Sequence, residues 1–346
     1  MISMKITIQY RFILGIDISK NQLNLHLLDL QTHQQWKNEL PNNTHGFAKL
    51  EDWLGQHGAG KSQTVLISEH TGRYGELLLR WTTENEWDHA MENTTVLEKV
   101  GYEHHRKDDT YDARTLAEYG QRFTDRLRLT KACSARISQL RRLQAERRKM
   151  VDQRAALKSK RTEAYTHDAD MTLIIEMWKQ QITLLSQHIA QLEGRMRELI
   201  NQDPELAHFF RLMRTAPGIG PVLGRFWLGL FAGEDKLDPN KIASRFGFAP
   251  HAHQSGSSVK SPNRSTGHGK SEMRKLMHQS ARSMATHHPH YRNYYEKKLA
   301  EKDAELLVIN NIINKLIHLY CAMWNNQMEY DPQYIQKMKY KWKKSA

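Results

Sequence analysis

Four carboxylates stand at positions where divalent metal chemistry is a natural use for them. Asp17 falls inside one apolar run, Glu69 closes another, and Asp109 and Asp112 are three residues apart at a helix start. Residues three apart share one face of a helix, and a carboxylate on a buried strand is costly unless it is paired or binds a cation. The set therefore predicts a site for Mg²⁺ or Mn²⁺, hard ions that prefer oxygen ligands. Two such ions could activate a nucleophile and stabilise the leaving oxygen in phosphodiester chemistry.

The alternative for Asp109 and Asp112 is structural. Together with Asp108 they would complement the positive end of a helix dipole without binding an ion. For Asp17, in the middle of a strand, this alternative has little force because no helix terminus is near in sequence.

A second candidate group lies in the serine-rich stretch Gln254–Lys260. Glycine next to Ser255, Ser257 and Ser258 lets the backbone approach a substrate closely. Such a serine could be a nucleophile or donate a hydrogen bond to a phosphate. A flexible surface loop explains the same composition, because Ser and Gly are common in linkers. The flanking basic residues are Arg264, Lys270, Arg274 and Lys275.

The turn Pro217-Gly218-Ile219-Gly220 separates two helical patterns. It resembles the hairpin of helix-hairpin-helix DNA-binding proteins, where backbone N–H groups meet a phosphate without reading the base sequence. A plain turn between helices uses the same residue types. Both interpretations stay open.

Histidine and cysteine give weaker signals. His251 and His253, and the cluster His287-His288-Pro289-His290, lack cysteine partners at the spacing of a zinc site. Cys133 and Cys321 are too few for a disulfide framework and fit a reducing cytoplasm.

The residues up to about 130 must position Asp17, Glu69, Asp109 and Asp112. Strand patterns come first and then alternate with helical ones, which predicts an α/β layer with a mixed sheet. The expected strands cover 12–20, 23–27, 34–40, 64–68 and 89–95, and the expected helices cover 46–54, 74–85 and 109–123.

The middle segment, 131–205, is predicted to be helical. Residues 131–166 hold eleven Lys and Arg, three Asp and Glu, and neither Pro nor Gly, which predicts a long basic helix. After a break near 166–170, apolar residues from Ile175 to Leu199 recur at spacings of three and four, the pattern of a coiled-coil seam. The seam could close as a hairpin within the chain or between two chains, and a single amphipathic helix on a globular core is the alternative.

The last segment, 206–346, predicts a mainly α-helical domain. Helical patterns end near 231 and cover 240–246, 273–284 and 306–323, with a polar loop over 251–270 and a lysine-rich tail. We therefore expect three domains, with boundaries at 1–130, 131–205 and 206–346.

Charge is divided unevenly along the 346 residues. The net charge is +13, of which residues 1–130 carry −3 and residues 131–346 carry +16. A basic remainder favours a surface for a polyanion, although a merely soluble basic protein would look the same. The mean hydropathy is −0.72, and no window approaches the ~18–20 apolar residues of a bilayer-spanning helix. We therefore expect no membrane span, and the first residues lack the pattern of a secretory signal.

Five motifs, taken in order, resemble one known arrangement. The set is similar to the DEDD-type insertion-sequence transposases, the family of bridge-RNA-guided serine recombinases that also contains the Piv DNA invertase. The resemblance runs from about residue 12 to about residue 320, and five motifs in one order are more specific than any one alone. The motifs are 15–20, 69–74, 107–117, 217–220 and 255–258.

The resemblance implies a fold, a site and a mechanism. The first domain would have a RuvC-like, RNase H-type fold in which Asp17, Glu69, Asp109 and Asp112 bind the metal ions. Ser255 would attack a DNA phosphodiester and form a covalent phosphoserine. A serine hydroxyl is a poor nucleophile until it is deprotonated, which adjacent metal ions promote. The covalent link retains the bond energy, so rejoining needs no ATP.

The resemblance also implies partners. Family members act as homo-oligomers, here a dimer or tetramer, in which the carboxylates of one protomer complete a composite site around the serine of another. A structured bridge RNA selects donor and target DNA. We expect such an enzyme in the bacterial cytoplasm.

The sequence departs from the family pattern at three places. Asp108 stands where Thr is usual, His70 follows Glu69 where a small residue is common, and Asn93-Thr94-Thr95 replaces an expected Asn-Pro pair. The four carboxylates and the serine are intact, so only local loop geometry and metal affinity are in question.

Three other functions compete with the transposase. A metal-dependent junction nuclease would use water as its nucleophile and would leave the 251–270 loop unexplained. A non-catalytic nucleic-acid-binding protein would need only the basic helix and tail. A sugar kinase or actin-type ATPase also begins with Gly-Ile-Asp, but we find no second phosphate-binding Asp-Gly motif.

Overall fold

The computed structural model describes residues 10–70, 72, 74–92, 109–164, 169–255, 259–265, 269–301 and 304–332, and for 109–111 and 250–264 it describes the backbone alone. The chain divides into two compact units, 1–133 and 134–346. The three-domain division at 130 and 205 stays a prediction. Asp108, Asn93-Thr94-Thr95, Ser257, Ser258 and the lysine-rich tail from 333 lie outside the described residues.

The first unit is built on a mixed five-stranded sheet, as predicted. The strand order is β3-β2-β1-β4-β5, with β1 antiparallel to β2 and parallel to β4. The strands are β1 Phe12–Ile18, β2 Gln22–Asp29, β3 Gln35–Pro41, β4 Thr64–Glu69 and β5 Asp88–Glu92, and the helices are α1 Thr44–Gln56, α2 Glu76–Glu84 and α3 Asp109–Arg122.

Helices cover both faces of this sheet. Leu14 and Leu66 pack in one apolar cluster with Phe47 of α1 and Leu78 of α2. On the opposite face, the cluster joins the sheet to α3 through Ile13, Val65, Ile67, Leu116, Ala117 and Tyr119. Burial on both faces explains why β1 and β4 are apolar almost throughout.

The second unit is mainly helical. Asp203 and Asp238 accept backbone N–H groups at the starts of two of its helices, each followed by a proline at the first helical position. The helices are α4 Ala135–Glu163, α5 Ala169–Asn201, α6 Pro204–Thr215, α7 Pro221–Phe231, α8 Pro239–Arg245, α9 Ser271–His287, α10 Pro289–Ala300 and α11 Glu305–Asn326, and the strands are β6 Pro250–Ser255 and β7 Val259–Ser265.

The last helix, α11, is long and apolar enough to cross a bilayer by composition alone. In this fold its apolar side is a core surface: Tyr320 packs edge-on against Trp227 of α7, and Trp324 stacks on Phe209 of α6. Residues from Val308 to Trp324 on this side are buried. The helix therefore serves as the central core helix of the second unit.

The basic helix α4 and the helix α5 form an antiparallel hairpin within one chain. Arg147 lies 2.6 Å from Glu193, and Arg154 donates a hydrogen bond of 3.2 Å to Ser186, so the contacts run in opposite directions along the two helices. Of the two closures that the sequence left open, the structure has the intramolecular one. The heptad packing of a coiled coil stays a prediction. The fully buried members of the predicted seam are Ile182, Ile189, Met196 and Leu199.

The predicted polar loop over 251–270 is wrong for much of its length. Strands β6 and β7 form an antiparallel hairpin there, with an irregularity between His251 and His253. Hydrogen bonds between backbone groups hold the two strands together, so the hairpin does not require alternating apolar side chains. The sequence pattern that would have predicted these strands is therefore missing. Helix α10 was also not predicted, because Tyr291 is its one buried residue and leaves no apolar stripe.

Candidate active site

Asp17 and Glu69 come to lie on neighbouring strands. Parallel pairing of β1 with β4 aligns Ile16 with Ser68, so the next residues on the two strands are Asp17 and Glu69. Both carboxylates are half-buried. In a parallel pair, residues at the same level point to the same face of the sheet. The two side chains therefore leave the sheet on one side.

That side is the one covered by α3. A Cβ atom added to Gly15 would clash with the carbonyl oxygen of Ala113 and lie 2.6 Å from the amide nitrogen of Ala117. A Cβ atom added to Gly120 would clash with Ile67. Gly15 and Ile67 thus face α3, and since alternate residues of a strand share a face, Asp17 and Glu69 face it too.

The direction of α3 brings its first turn to the same edge. Gly120, near its end, lies against Ile13, and Ala113, near its start, lies against Gly15. Moving along β1 towards Asp17 therefore means moving towards the start of α3, where Asp109 and Asp112 are. The structure brings Asp17, Glu69 and the first turn of α3 together. Asp112 is half-buried, whereas the side chain of Asp109 lies outside the described part.

Two further polar residues at this edge were not foreseen. Asn24 pairs with Asp17 across the β1–β2 ladder, and its amide nitrogen lies 3.5 Å from the Asp17 carboxylate. Glu92 ends β5 in register with Glu69. Burial raises the pKa of Glu92, an effect that the charge of Arg128 opposes. The hairpin turn predicted at residues 21–22 would have paired Asp17 with His26, so Asn24 could not be identified before the actual register was known. Glu92 ends a strand whose sequence pattern was weak.

The donor set fits a hard divalent ion in type, since every predicted ligand offers carboxylate oxygen. Asp17 and Glu69 lie side by side on two parallel strands, and the start of α3 lies at the same edge of the sheet. Among the described side chains, no three Asp, Glu, His or Cys residues lie close enough to hold an ion. Asp17, Glu69 and Asp112 are among these described side chains and do not form such a cluster, so the metal role of the four carboxylates stays a prediction.

Ser255 lies in the second unit, at the end of β6, where its Cα pairs with that of Val259 across the hairpin. Its side chain is outside the described part. The end of β7 borders a cavity of about 390 Å³ that Ser265 shares with Arg274, Lys275 and His278. Burial lowers the pKa of His278, and the charges of Arg282 and Arg274 lower it further. This cationic cavity is suited to an anion, and it lies at the end of the hairpin opposite to Ser255, because Ser265 pairs with Pro250.

Comparison with known proteins assigns the family. Residues 14–165 match the DEDD transposases of the IS110 type, and residues 210–296 match the transposase family described as IS116/IS110/IS902. The chain is similar to the pilin gene-inverting protein of Moraxella bovis, with 27% identity over 334 residues that cover 92% of this chain and 97% of the relative. The pilin gene-inverting protein of Moraxella lacunata gives the same identity and coverage. The two family matches together cover more than half of the chain, and the expectation from its motifs is confirmed: it belongs to the DEDD transposases of the IS110 type, enzymes of DNA recombination.

Proposed function

We propose that this transposase cuts and rejoins DNA through a covalent phosphoserine at Ser255, with Asp17, Glu69, Asp109 and Asp112 as its metal-binding carboxylates. The observation that supports the proposal best is the convergence of Asp17, Glu69 and the first turn of α3 at one edge of the sheet. The assignment of the first unit as a RuvC-like, RNase H-type fold belongs to the same proposal, and so does Mg²⁺, with Mn²⁺ as its substitute.

Each group of the chain has a task in this reaction. The Asn24 amide nitrogen, 3.5 Å from the Asp17 carboxylate, helps to orient that ligand. Bound divalent ions would supply charge that favours the deprotonated serine and shields the phosphate. Cationic side chains at the base of the β6–β7 hairpin bind the DNA backbone on the approach to Ser255, which lies at the other end of the hairpin.

The covalent step balances without a co-reactant. The Ser255 hydroxyl gives up its proton, its oxygen bonds to phosphorus, and one bridging P–O bond breaks to leave a DNA hydroxyl end. Attack by a second DNA hydroxyl on the phosphoserine reverses this exchange and frees the serine. One phosphodiester is made for each one broken, so no energy source is consumed.

The partners follow from the same family. A DNA substrate is implied by the family itself. A bridge RNA, a homo-oligomer of two or four chains with a composite site, and a bacterial cytoplasmic location complete the proposal. The charge of +16 on residues 131–346 supports binding of two polyanions. Sequencing of the RNA that co-purifies with the protein tests the guide: one structured species supports it, and a random mixture speaks against it.

The nucleophile is tested with a matched pair of serine variants. Ser255→Ala should abolish both strand exchange and the denaturant-resistant protein–DNA adduct, because no other hydroxyl occupies that position. Ser261→Ala, on the facing strand of the same hairpin, should retain both. If the adduct still forms in Ser255→Ala, another residue is the nucleophile. Hydrolysed DNA ends with no adduct in the unaltered protein would instead support the water-using nuclease, and exchange that survives Asp17→Asn would contradict both enzymes.

A further inference from the structure

A second cavity, of about 360 Å³, lies within the second unit where the end of α5 meets α6 and the start of α7. Its volume falls in the range of small-ligand sites, about 300–1,000 Å³. Among its described lining residues none is acidic. The lining combines guanidinium groups with apolar walls, from Arg197, Arg211, Arg214, Arg225, Ile200 and Phe210.

Arg225 makes this cavity electrostatically unusual. The residue is 6% exposed, and its guanidinium lies 3.4 Å from Glu193. Glu193 also binds Arg147 at 2.6 Å, so one carboxylate serves two cations. Burial lowers the pKa of Arg225; Glu193 opposes this shift, and the neighbouring cations Arg147, Arg197 and Arg214 add to it.

A buried charge is unfavourable unless it is compensated. The guanidinium groups of Arg197 and Arg211 add two exposed cations at the rim. The site therefore carries more positive charge than its own carboxylate balances, and an anion from outside would restore the balance. Guanidinium geometry matches a phosphate, which can accept two parallel N–H hydrogen bonds.

The start of α7 strengthens the attraction for an anion. The Arg214 guanidinium donates a 2.5 Å hydrogen bond to the carbonyl of Ile219 and so braces the Pro217–Gly220 turn. Helix α7 then begins at Pro221, which lines the cavity, and its N-cap Gly220 provides no side-chain cap. The positive end of the helix dipole thus adjoins the arginines.

The apolar walls specify the rest of the ligand. Phe210 is half-buried, and Ile200 is buried beside it. Aromatic side chains stack on unpaired bases, whereas the bases of a duplex are already stacked on each other. A phosphate with one adjoining free base fits both the cationic and the apolar part of the lining.

We propose that this cavity binds one unpaired nucleotide of a nucleic-acid strand, with its phosphate on the arginines and its base on Phe210. The proposal rests on the proposed function, because it names a subsite of a nucleic-acid enzyme. Unpaired DNA and RNA share this chemistry, and the same oligonucleotide in deoxy and ribo form distinguishes them: a loss confined to the ribo form identifies RNA as the source, and one confined to the deoxy form identifies DNA.

The test uses two arginines of one helix in the full-length protein. Arg197 lines the cavity, whereas Arg195, two residues earlier on α5, is also exposed but pairs with Glu198 at 2.9 Å. Affinity for a fluorescein-labelled single-stranded 12-mer is measured by anisotropy over a series of KCl concentrations. Arg197→Gln should weaken binding about tenfold and lower the salt slope by about 0.7. Arg195→Gln should change affinity less than about twofold, because Arg195 does not line the cavity and Glu198 already pairs with its charge.

Two further variants separate phosphate from base. Arg211→Gln should reproduce the effect of Arg197→Gln, and it guards against misfolding of either variant, which thermal unfolding also monitors. Phe210→Ala should weaken binding at least about fivefold, but it should leave the affinity for an abasic 12-mer unchanged, because that strand has phosphates without bases.

Equal losses in Arg195→Gln and Arg197→Gln would overturn the proposal, since they would mean a diffuse charge effect. Unchanged binding in both Arg197→Gln and Arg211→Gln would overturn it as well. These readouts are independent of catalysis. If Ser255→Ala still forms an adduct, the proposed mechanism fails while the binding results stand; if the arginine variants bind normally and Ser255→Ala is inactive, the cavity alone is refuted.

Discussion

Glu69 and Glu92 end adjacent parallel strands in register, so their carboxylates leave the sheet on the same face. Glu69 is also beside Asp17, whereas Glu92 is one strand further from it. The two glutamates should therefore differ in function although their local settings are alike.

Replacement of each glutamate measures this difference. Glu69→Gln should lower strand exchange by more than about 100-fold, the upper end of the cost of losing groups that only orient metal ligands. Glu92→Gln, which removes the same charge one strand away, should keep activity within about tenfold. The measurement is strand exchange at several Mg²⁺ concentrations. A larger loss in Glu92→Gln would place Glu92 among the ligands.

Gly15 provides a test of how β1 and α3 are held together. Gly15→Ala should lower the free energy of unfolding of the first unit by about 1–3 kcal/mol, as overpacking does, because its Cβ meets the Ala113 carbonyl. Strand exchange should fall with it, since α3 carries Asp109 and Asp112. Urea unfolding and strand exchange measure the two effects.

The matched control is Gly55→Ala near the end of α1, where an added Cβ has no atom within 4 Å. Alanine there should raise stability by up to about 1 kcal/mol, because glycine is the poorer helix former. Equal destabilisation by the two substitutions would contradict the close approach of β1 to α3.

His89 should make the first unit sensitive to acid. Its ring nitrogens lie 2.8 Å from the Ser68 hydroxyl and 3.1 Å from the Thr82 hydroxyl, and burial lowers its pKa to about 4. The unfolded chain takes up this proton near pH 6.5, and the folded chain near pH 4. Stability should therefore fall as the pH drops through this interval, by about 3 kcal/mol in total.

Hydrogen exchange at the β4 and β5 amides, corrected for its intrinsic pH dependence, follows this loss. His89→Gln keeps a polar side chain between Ser68 and Thr82 but cannot take up a proton. Its stability should change much less between pH 6.5 and pH 4.5. An unchanged pH dependence in His89→Gln would assign the acid sensitivity to other groups.

The sequence was most informative where burial is two-sided. The runs around Leu14 and Leu66 are apolar almost without interruption, so their strands could be predicted, with Asp17 inside the first and Glu69 at the end of the second. The placement of Asp17 against α3 could not be predicted from the sequence pattern, because it depends on the contact of Gly15 with the helix and on the direction of the helix.

Other features depend on contacts between residues far apart in the chain. The β6–β7 hairpin is held by backbone pairing in a stretch rich in Ser and His, which has no pattern of its own. The partner of Arg225 is 32 positions away at Glu193. A signal for Arg225 did exist, since a lone charge in the apolar run of α7 implies a buried partner, but neither the partner nor the cavity can be derived from spacing.

The contact between Gly15 and the α3 backbone has a consequence for inheritance. Every missense change of one nucleotide in a glycine codon introduces a residue with a Cβ atom, and the Ala113 carbonyl already occupies that volume. The tolerated single-nucleotide changes in this codon are therefore the synonymous ones. Copies of the gene that acquire a missense change at this position should lose stability and strand exchange in a single step, even when the codons for all four carboxylates are intact.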